Sequence, residues 1–187
     1  MKSILISPHN DDETLFAAYT LQRHKPQVIV VTDSFIQYER GQTDITAHRR
    51  REETRQACRV LGLEPPVFLG LGDDGLERTI DALREYVFRR YADDTIMFVP
   101  ACQGGNVQHD LIWNWLVMDP PLKYVEYATY ANGEFYTPLA GGVELVPTEE
   151  EYQLKLKAIA CYESQSWQGH VKAVIDARSE WVSRLPL

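Results

Sequence analysis

Four short apolar runs, SILIS (3–7), QVIVVTD (27–33), PVFLGL (66–71) and TIMFVPA (95–101), alternate along the chain with stretches of helical periodicity. This alternation constrains the fold more than any other feature. A strand, a helix and a second strand of one sheet wind in a right-handed crossover, so a series of such units gives a parallel sheet covered by helices on both faces. The intervening segments support helices in their own right. DETLFAAYTLQRH (12–24) carries acids in its first turn, where they complement the partial positive charge of a helix N-terminus. AHRRREETRQACRVLGL (47–63) puts Thr54, Ala57, Val60 and Leu61 on one face and has Gly62 as its stop. Residues 77–92 align Ile80, Leu83, Val87, Phe88 and Tyr91 on one side. The expected fold class is α/β: Rossmann-like, with a mostly parallel sheet and helices on both faces. A length of 187 residues suits one domain over 1–187.

The pattern changes after residue 118. KYVEYATYA (123–131) alternates like a strand near an edge, and TPLAGGVELVP (137–147) reads as a turn and a further strand, giving an antiparallel edge in the C-terminal part. TEEEYQLKLKAIACYESQ (148–165) reads as a helix opened by a Thr148–Glu151 capping box. The last twenty residues, with Trp167 and Trp181, carry no pattern that places them. The segment 111–136 is dense in aromatics. It suits a platform for flat sugar faces, or a core contact, or a surface for homo-oligomer formation, and the three stay open.

Charge narrows the partners. The net charge of −8 argues against nucleic acid, whose phosphates need clustered Lys and Arg. The one basic cluster, Arg49–Arg51, runs straight into Glu52 and Glu53 and reads mostly as a solvated helix face. Cys58, Cys102 and Cys161 are far apart, form no CxxC pair and read as reduced core thiols. The apolar run after Lys2 is shorter than the ~7–15 residues of a secretory signal core. Nothing approaches the ~20 apolar residues of a membrane span, so the expected location is cytoplasmic.

In a parallel sheet, ligands sit beyond the carboxyl ends of the strands. Polar clusters fall at three such ends: His9–Glu13, Asp73–Asp74 and Asn106–Asp110. The first crowds three carboxylates beside one imidazole. Helix capping alone accounts for the acids but not for a histidine at the end of a buried strand. Zinc takes imidazole nitrogen and carboxylate oxygen, and its catalytic sites use three protein ligands. His9 and Asp12, three apart at a strand-to-helix turn, can face one point, and His109 at a later strand exit is the natural third ligand. Asp11 is left to exchange a proton with water. A phosphate-binding reading lacks a GxGxxG loop and is opposed by the carboxylates.

PHNDDE (8–13) resembles the (A/P)HPDDE motif of the LmbE-like, or PIG-L, family of zinc-dependent de-N-acetylases, which remove acetyl groups from N-acetylglucosaminyl conjugates and related amides. RREETRQACRVLGL (50–63), LGLGDDGL (69–76), NVQHD (106–110) and KLKAIACYESQ (155–165) are similar to further motifs of that family, in the same order. The resemblance implies His9, Asp12 and His109 as ligands of Zn²⁺, with Fe²⁺ suiting the same donors. It implies Asp11 as general base and later acid, and Arg50 and Asp73 as contacts to sugar hydroxyls. Without the resemblance, Arg50 is a helix-surface charge and Asp73 a turn residue. Two departures stand out. Asn10 replaces the usual proline, which is expected to loosen the turn. Asn106 replaces the first histidine of an HxxH motif and is expected to donate a hydrogen bond to the oxyanion without carrying charge. The implied activity is hydrolysis of the acetyl group from an N-acetylated sugar or related small amide. A ligand-binding descendant without catalysis is the alternative. A nucleotide-binding Rossmann module is disfavoured by the missing glycines.

Overall fold

The computed structural model describes residues 2–33, 46–72, 75–91, 94–117, 123–131, 137–165 and 169–184. In chain order the elements are β1 (Ser3–Ser7), α1 (Asp12–His24), β2 (Gln27–Thr32), α2 (Ala47–Val60), β3 (Val67–Leu71), a 3₁₀ turn (Leu76–Arg78), α3 (Ile80–Arg90), β4 (Ile96–Pro100), α4 (Val107–Val117), β5 (Lys123–Tyr127), β6 (Val143–Leu145), α5 (Glu149–Ile159), α6 (Gly169–Ala177) and β7 (Glu180–Val182). The seven strands form one sheet in the order β3-β2-β1-β4-β5-β7-β6. The first five are parallel; β7 runs antiparallel to β5 and β6 antiparallel to β7.

Strand order decides where a site can form. From β1 the chain winds one way to β2 and β3, then returns to lay β4 and β5 on the other side of β1. The loops leaving β1 and β4 therefore diverge and open a crevice at the topological switch point. The first of these loops carries His9, and the second leads into α4, whose first turn carries His109.

Each central strand divides its side chains between two cores, as the period of two requires. Leu5, Val28, Val30 and Phe98 face α1, α2, α5 and α6, among Leu15, Ala57, Leu61, Ala158 and Val174. Ile4, Ile6, Ile29, Val31, Met97 and Val99 face α3 and α4, among Ile80, Leu83, Val87, Ile112 and Leu116. The near-continuous apolar runs of β1, β2 and β4 follow from burial on both sides.

The structure revises several local expectations. Strand β5 lies near an edge, between β4 and the antiparallel β7, and ends at Tyr127 rather than running to 131. Its alternate residues Tyr124 and Glu126 face α4, where Trp113 Nε1 donates to Glu126, so their polar character does not mean exposure. The NVQHD segment is not all loop, since α4 begins at Val107 and His109 stands in its first turn. Helix α5 keeps the capping box but stops at Ile159, and 160–165 turn back toward the site. Of the three thiols, Cys58 is buried, Cys161 half-buried and Cys102 exposed. Among the described residues, no helix is long and apolar enough to cross a membrane.

The unplaced C-terminus is fixed by a defect in α1. Ala17 departs from helical geometry, with φ −134° and ψ 22°. The Tyr19 N–H, buried at this kink, donates instead to Glu180 Oε2 of β7 at 2.9 Å. Lys155 Nζ of α5 neutralises the same carboxylate at 2.8 Å, and both side chains are 1% exposed. One buried ion pair thus locks α1, α5 and β7 together. Replacing Lys155 by Met is expected to leave Glu180 charged, buried and without its cation, at a loss of about 3–5 kcal/mol. Urea denaturation measures it, and a K155M/E180Q double variant should regain most of the loss. Equal midpoints for wild type and K155M would contradict this account.

Candidate metal centre

The segment between β1 and α1 is tied down from every side. Pro8 O accepts from both the Thr32 N–H and the Thr32 hydroxyl, each at 3.0 Å. Asn10 is fully buried. Its Nδ2 donates to Thr32 O at 3.2 Å and Asp33 O at 2.9 Å, and its Oδ1 accepts from Thr54 Oγ1 at 3.0 Å. The asparagine therefore does not loosen the turn as expected; it ties β1 to β2 and α2 through bonds that a proline ring could not make. The next residue, Asp11, has φ 149° and ψ −27°. Such a conformation costs about 1–3 kcal/mol and persists only where its surroundings impose it. Here the Asp11 N–H is shared between His9 O and Glu13 Oε2, both at 3.2 Å, while Asp11 O accepts from Thr14 and Leu15 N–H.

The three adjacent carboxylates have three different surroundings. Glu13 is a structural hub: it accepts from the Ser7 hydroxyl at 2.9 Å, the Thr14 hydroxyl at 3.0 Å and the Tyr162 hydroxyl. Asp11 faces Arg50, whose Nη2 lies 3.3 Å from Oδ2 with both side chains buried. Asp12 faces the two histidines. Its Oδ2 lies 2.9 Å from His9 Nδ1 and 3.0 Å from His109 Nε2, and those nitrogens are 3.3 Å apart. The His9 backbone N–H donates to the same oxygen at 2.9 Å.

This triangle fits a metal ion. Ligand atoms about 2.0 Å from one tetrahedral cation stand about 3.3 Å apart. His9, Asp12 and His109 are the group, among the described residues, whose donors all come together in this way. Among the described residues, the buried Asp12 Oδ1 has no hydrogen-bond partner, an unusual state for a carboxylate oxygen inside a protein. Charge points the same way. Asp11, Asp12 and Glu13 put three carboxylates in a desolvated space opposite one arginine. Without a cation, protons are drawn in. Burial lifts Asp11 to about 7 against the pull of Arg50, and burial likewise raises Glu13. At His9, burial alone would lower the pKa, but the charge and hydrogen bond of Asp12 raise it to about 9. At Asp12 burial is outweighed by the two imidazoles, which hold the carboxyl well below its usual range.

The family model for PIG-L, GlcNAc-PI de-N-acetylase, matches residues 4–118, well over half of the chain. The chain belongs to the PIG-L family. Whole-fold comparison agrees. The A40926 pseudoaglycone deacetylase Dbv21 is 16% identical with a TM-score of 0.73, covering 100% of this chain and 98% of that one. The N,N'-diacetylchitobiose deacetylase from Pyrococcus horikoshii is 17% identical with a TM-score of 0.66, over 99% and 83%. The 4-carboxy-2-hydroxymuconate hydratase GalB from a Pseudomonas, KT2440, is 15% identical with a TM-score of 0.67, over 100% and 99%. At these identities the likeness is one of fold, and the hydratase shows that the fold is not confined to deacetylases. No curated protein sequence is a significant match.

Three of the segments similar to family motifs, 50–63, 106–110 and 155–165, far apart in the chain, meet at this turn. From the helix motif 50–63, Arg50 is 2% exposed, and its guanidinium reaches Asp11 and the Asn10 carbonyl rather than open solvent. From the same helix, the buried Glu53 accepts from the Ser164 N–H at 2.9 Å and from its hydroxyl. The late motif 155–165 thus braces the site twice, through Tyr162 to Glu13 and through Ser164 to Glu53. Asn106 caps α4: its Oδ1 accepts from the N–H of Gln108 at 2.9 Å and of His109 at 3.3 Å. Asp73 lies outside the described residues. Two further residues stand at the site: Tyr130, from the aromatic segment 111–136, and Gln108. Tyr130 packs edge-on against His109 at 5.3 Å and against Phe16 at 4.8 Å. It also meets Gly105, where an added Cβ would come within 2.5 Å of the Tyr130 backbone. Gln108 Oε1 lies 2.6 Å from His9 Nε2. Neither residue type suggests metal chemistry by itself; only adjacence to His109 in NVQHD offered a signal for Gln108.

Because Asn10 binds β2 and α2 together, N10A should destabilise the fold although it leaves every candidate ligand in place. The expected loss is about 1–3 kcal/mol for buried carbonyls deprived of their donor. A urea midpoint unchanged at constant slope would show that the turn holds without it.

Proposed function

We propose that the chain is a metal-dependent amidohydrolase that removes the acetyl group from an N-acetylated sugar of N-acetylglucosaminyl type or a related small amide. One observation carries this reading: donors from two strand ends a hundred residues apart meet within 2.9–3.3 Å, with a further buried carboxylate beside them, on the motif of a de-N-acetylase family. The similarity to Dbv21 and to the chitobiose deacetylase supports it at the level of the fold.

His9 Nδ1, Asp12 Oδ2 and His109 Nε2 would hold the ion, and their mixed nitrogen and oxygen character suits Zn²⁺, with Fe²⁺ accommodated by the same donors. A divalent ion there supplies Lewis acidity toward a carbonyl oxygen and lowers the pKa of water. The rest falls to the protein. Asp11 takes a proton from the attacking water as the new C–O bond forms at the acetamide carbonyl. It returns that proton to nitrogen as the C–N bond breaks, so that amide and water become acetate and a free amine. Arg50 keeps the Asp11 carboxylate turned toward the site. Asn106 offers amide N–H groups to the negative oxygen. Arg50 and Asp73 are the proposed contacts to sugar hydroxyls, and a hydroxyl bound at Arg50 would lie beside the proton carrier.

The neutral Asn106, with its oxygen used to cap α4, favours one other reading: a descendant that binds metal and ligand without turnover. Acetate release from a panel of N-acetylated sugars separates the two. The amidohydrolase predicts release that chelation abolishes and added Zn²⁺ restores. It also predicts that D11N keeps its bound metal while its rate falls on the order of 10²–10⁴. Metal-loaded wild type releasing no acetate across the panel supports the non-catalytic reading, and normal turnover by D11N removes Asp11 from the mechanism.

A further inference from the structure

The candidate ligands His9 and His109 differ on the side facing away from the cluster. His109 Nδ1 is buried and has no hydrogen-bond partner among the described residues. His9 Nε2 is met by Gln108 Oε1 at 2.6 Å. The side chain reaching His9 comes from the residue just before His109, at the second position of α4, where the Gln108 backbone N–H is itself fixed by Asn106 Oδ1. One turn of α4 thus brings one imidazole to the cluster and touches the back of the other.

We infer that Gln108 is a positioning residue for metal binding: its carboxamide oxygen accepts the His9 Nε2 proton and so fixes the tautomer in which Nδ1 presents a lone pair to the ion. The chemistry allows little else. A neutral imidazole carries one proton, and a nitrogen that binds a cation cannot carry it. With Nδ1 turned toward Asp12 and His109, the proton belongs on Nε2, where Gln108 Oε1 stands within hydrogen-bond distance to accept it. A neighbouring acceptor also raises the basicity of the ligating nitrogen and stops the ring from rotating. The amide does this without adding a fourth negative charge to Asp11, Asp12 and Glu13, which already outnumber Arg50. Among the described residues His109 has no such lock; it packs against Tyr130 and is carried by the first turn of α4.

This inference rests on the metal-binding part of the proposed function, and its test distinguishes the two. Metal-free wild type, Q108A and Q108E are titrated with Zn²⁺ in competition with a chromogenic chelator. ¹⁵N NMR of the imidazoles then reports the tautomer of His9 in the loaded proteins. Wild type should bind, with His9 protonated on Nε2. Q108A should bind about 10–100-fold more weakly. Q108E, which restores an acceptor, should recover that loss, a rescue not expected if Gln108 merely fills space. Wild type that binds no Zn²⁺ removes the metal centre and this role with it. Wild type that binds while Q108A binds equally tightly, or keeps the same His9 tautomer, overturns the role of Gln108 and leaves the metal centre standing.

Discussion

Asp12 Oδ2 is the point at which the two halves of the sheet meet. Four residues of chain separate it from β1, yet it lies 3.0 Å from a nitrogen delivered by α4, the helix that follows β4. A carboxylate oxygen facing two imidazole nitrogens and a backbone N–H needs those groups held against solvent and against one another. Most of the surrounding architecture serves that end. The β1/β4 switch point opens the crevice, Asn10 ties the turn to β2 and α2, and Glu13 holds the strained backbone of Asp11. Gly105 lets the loop before α4 lie directly on Tyr130, whose ring supports His109.

The adjacency of Asp11, Asp12 and Glu13 becomes intelligible in this light. At the start of a helix, consecutive side chains leave in directions about 100° apart, so three neighbours can serve three separate environments. Glu13 points back into the core to Ser7, Thr14 and Tyr162. Asp12 points across to the histidines, and Asp11, on unusual backbone, points toward Arg50. Spreading them in this way keeps like charges apart while giving each a partner. It does not make the site neutral. One arginine against three buried carboxylates leaves a deficit that a divalent ion is suited to fill, and that protons fill otherwise, as the raised Asp11 and Glu13 indicate.

Much of this was legible in the sequence because it depends on local pattern. Alternating apolar runs gave the parallel sheet, and strand ends rich in His and Asp gave the cluster. What escaped depends on groups that acquire meaning only through distant partners. Gln108 is uncharged and ordinary on a helix, and its meeting with His9 follows only once α4 is known to start one residue earlier. Glu180 in the unplaced C-terminus matters because Ala17 breaks α1 and exposes one N–H, a defect no periodicity announces. Glu126 alternates with apolar residues in β5 yet does not mark a solvent face, because a carboxylate can sit beneath a helix when an indole N–H reaches it. Asn10 was misread for a related reason. Proline and asparagine both suit turns, and only the positions of Thr32, Asp33 and Thr54 reveal that the amide is fully used.

The segment Asn106–His109 joins these strands of argument. In the proposed mechanism, the place of a histidine able to carry positive charge is taken by a neutral amide whose oxygen caps α4. Capping by Asn contributes about 1 kcal/mol to a helix end and sets the orientation of the first turn. In this chain that turn holds both Gln108, against His9, and His109, in the cluster. The substitution therefore shifts the emphasis of the segment from charge toward placement. It places His109 directly, through the cap, and sets Gln108 against His9. If the triangle holds an ion as proposed, the acceptor behind His9 would bear on how firmly that ion is held.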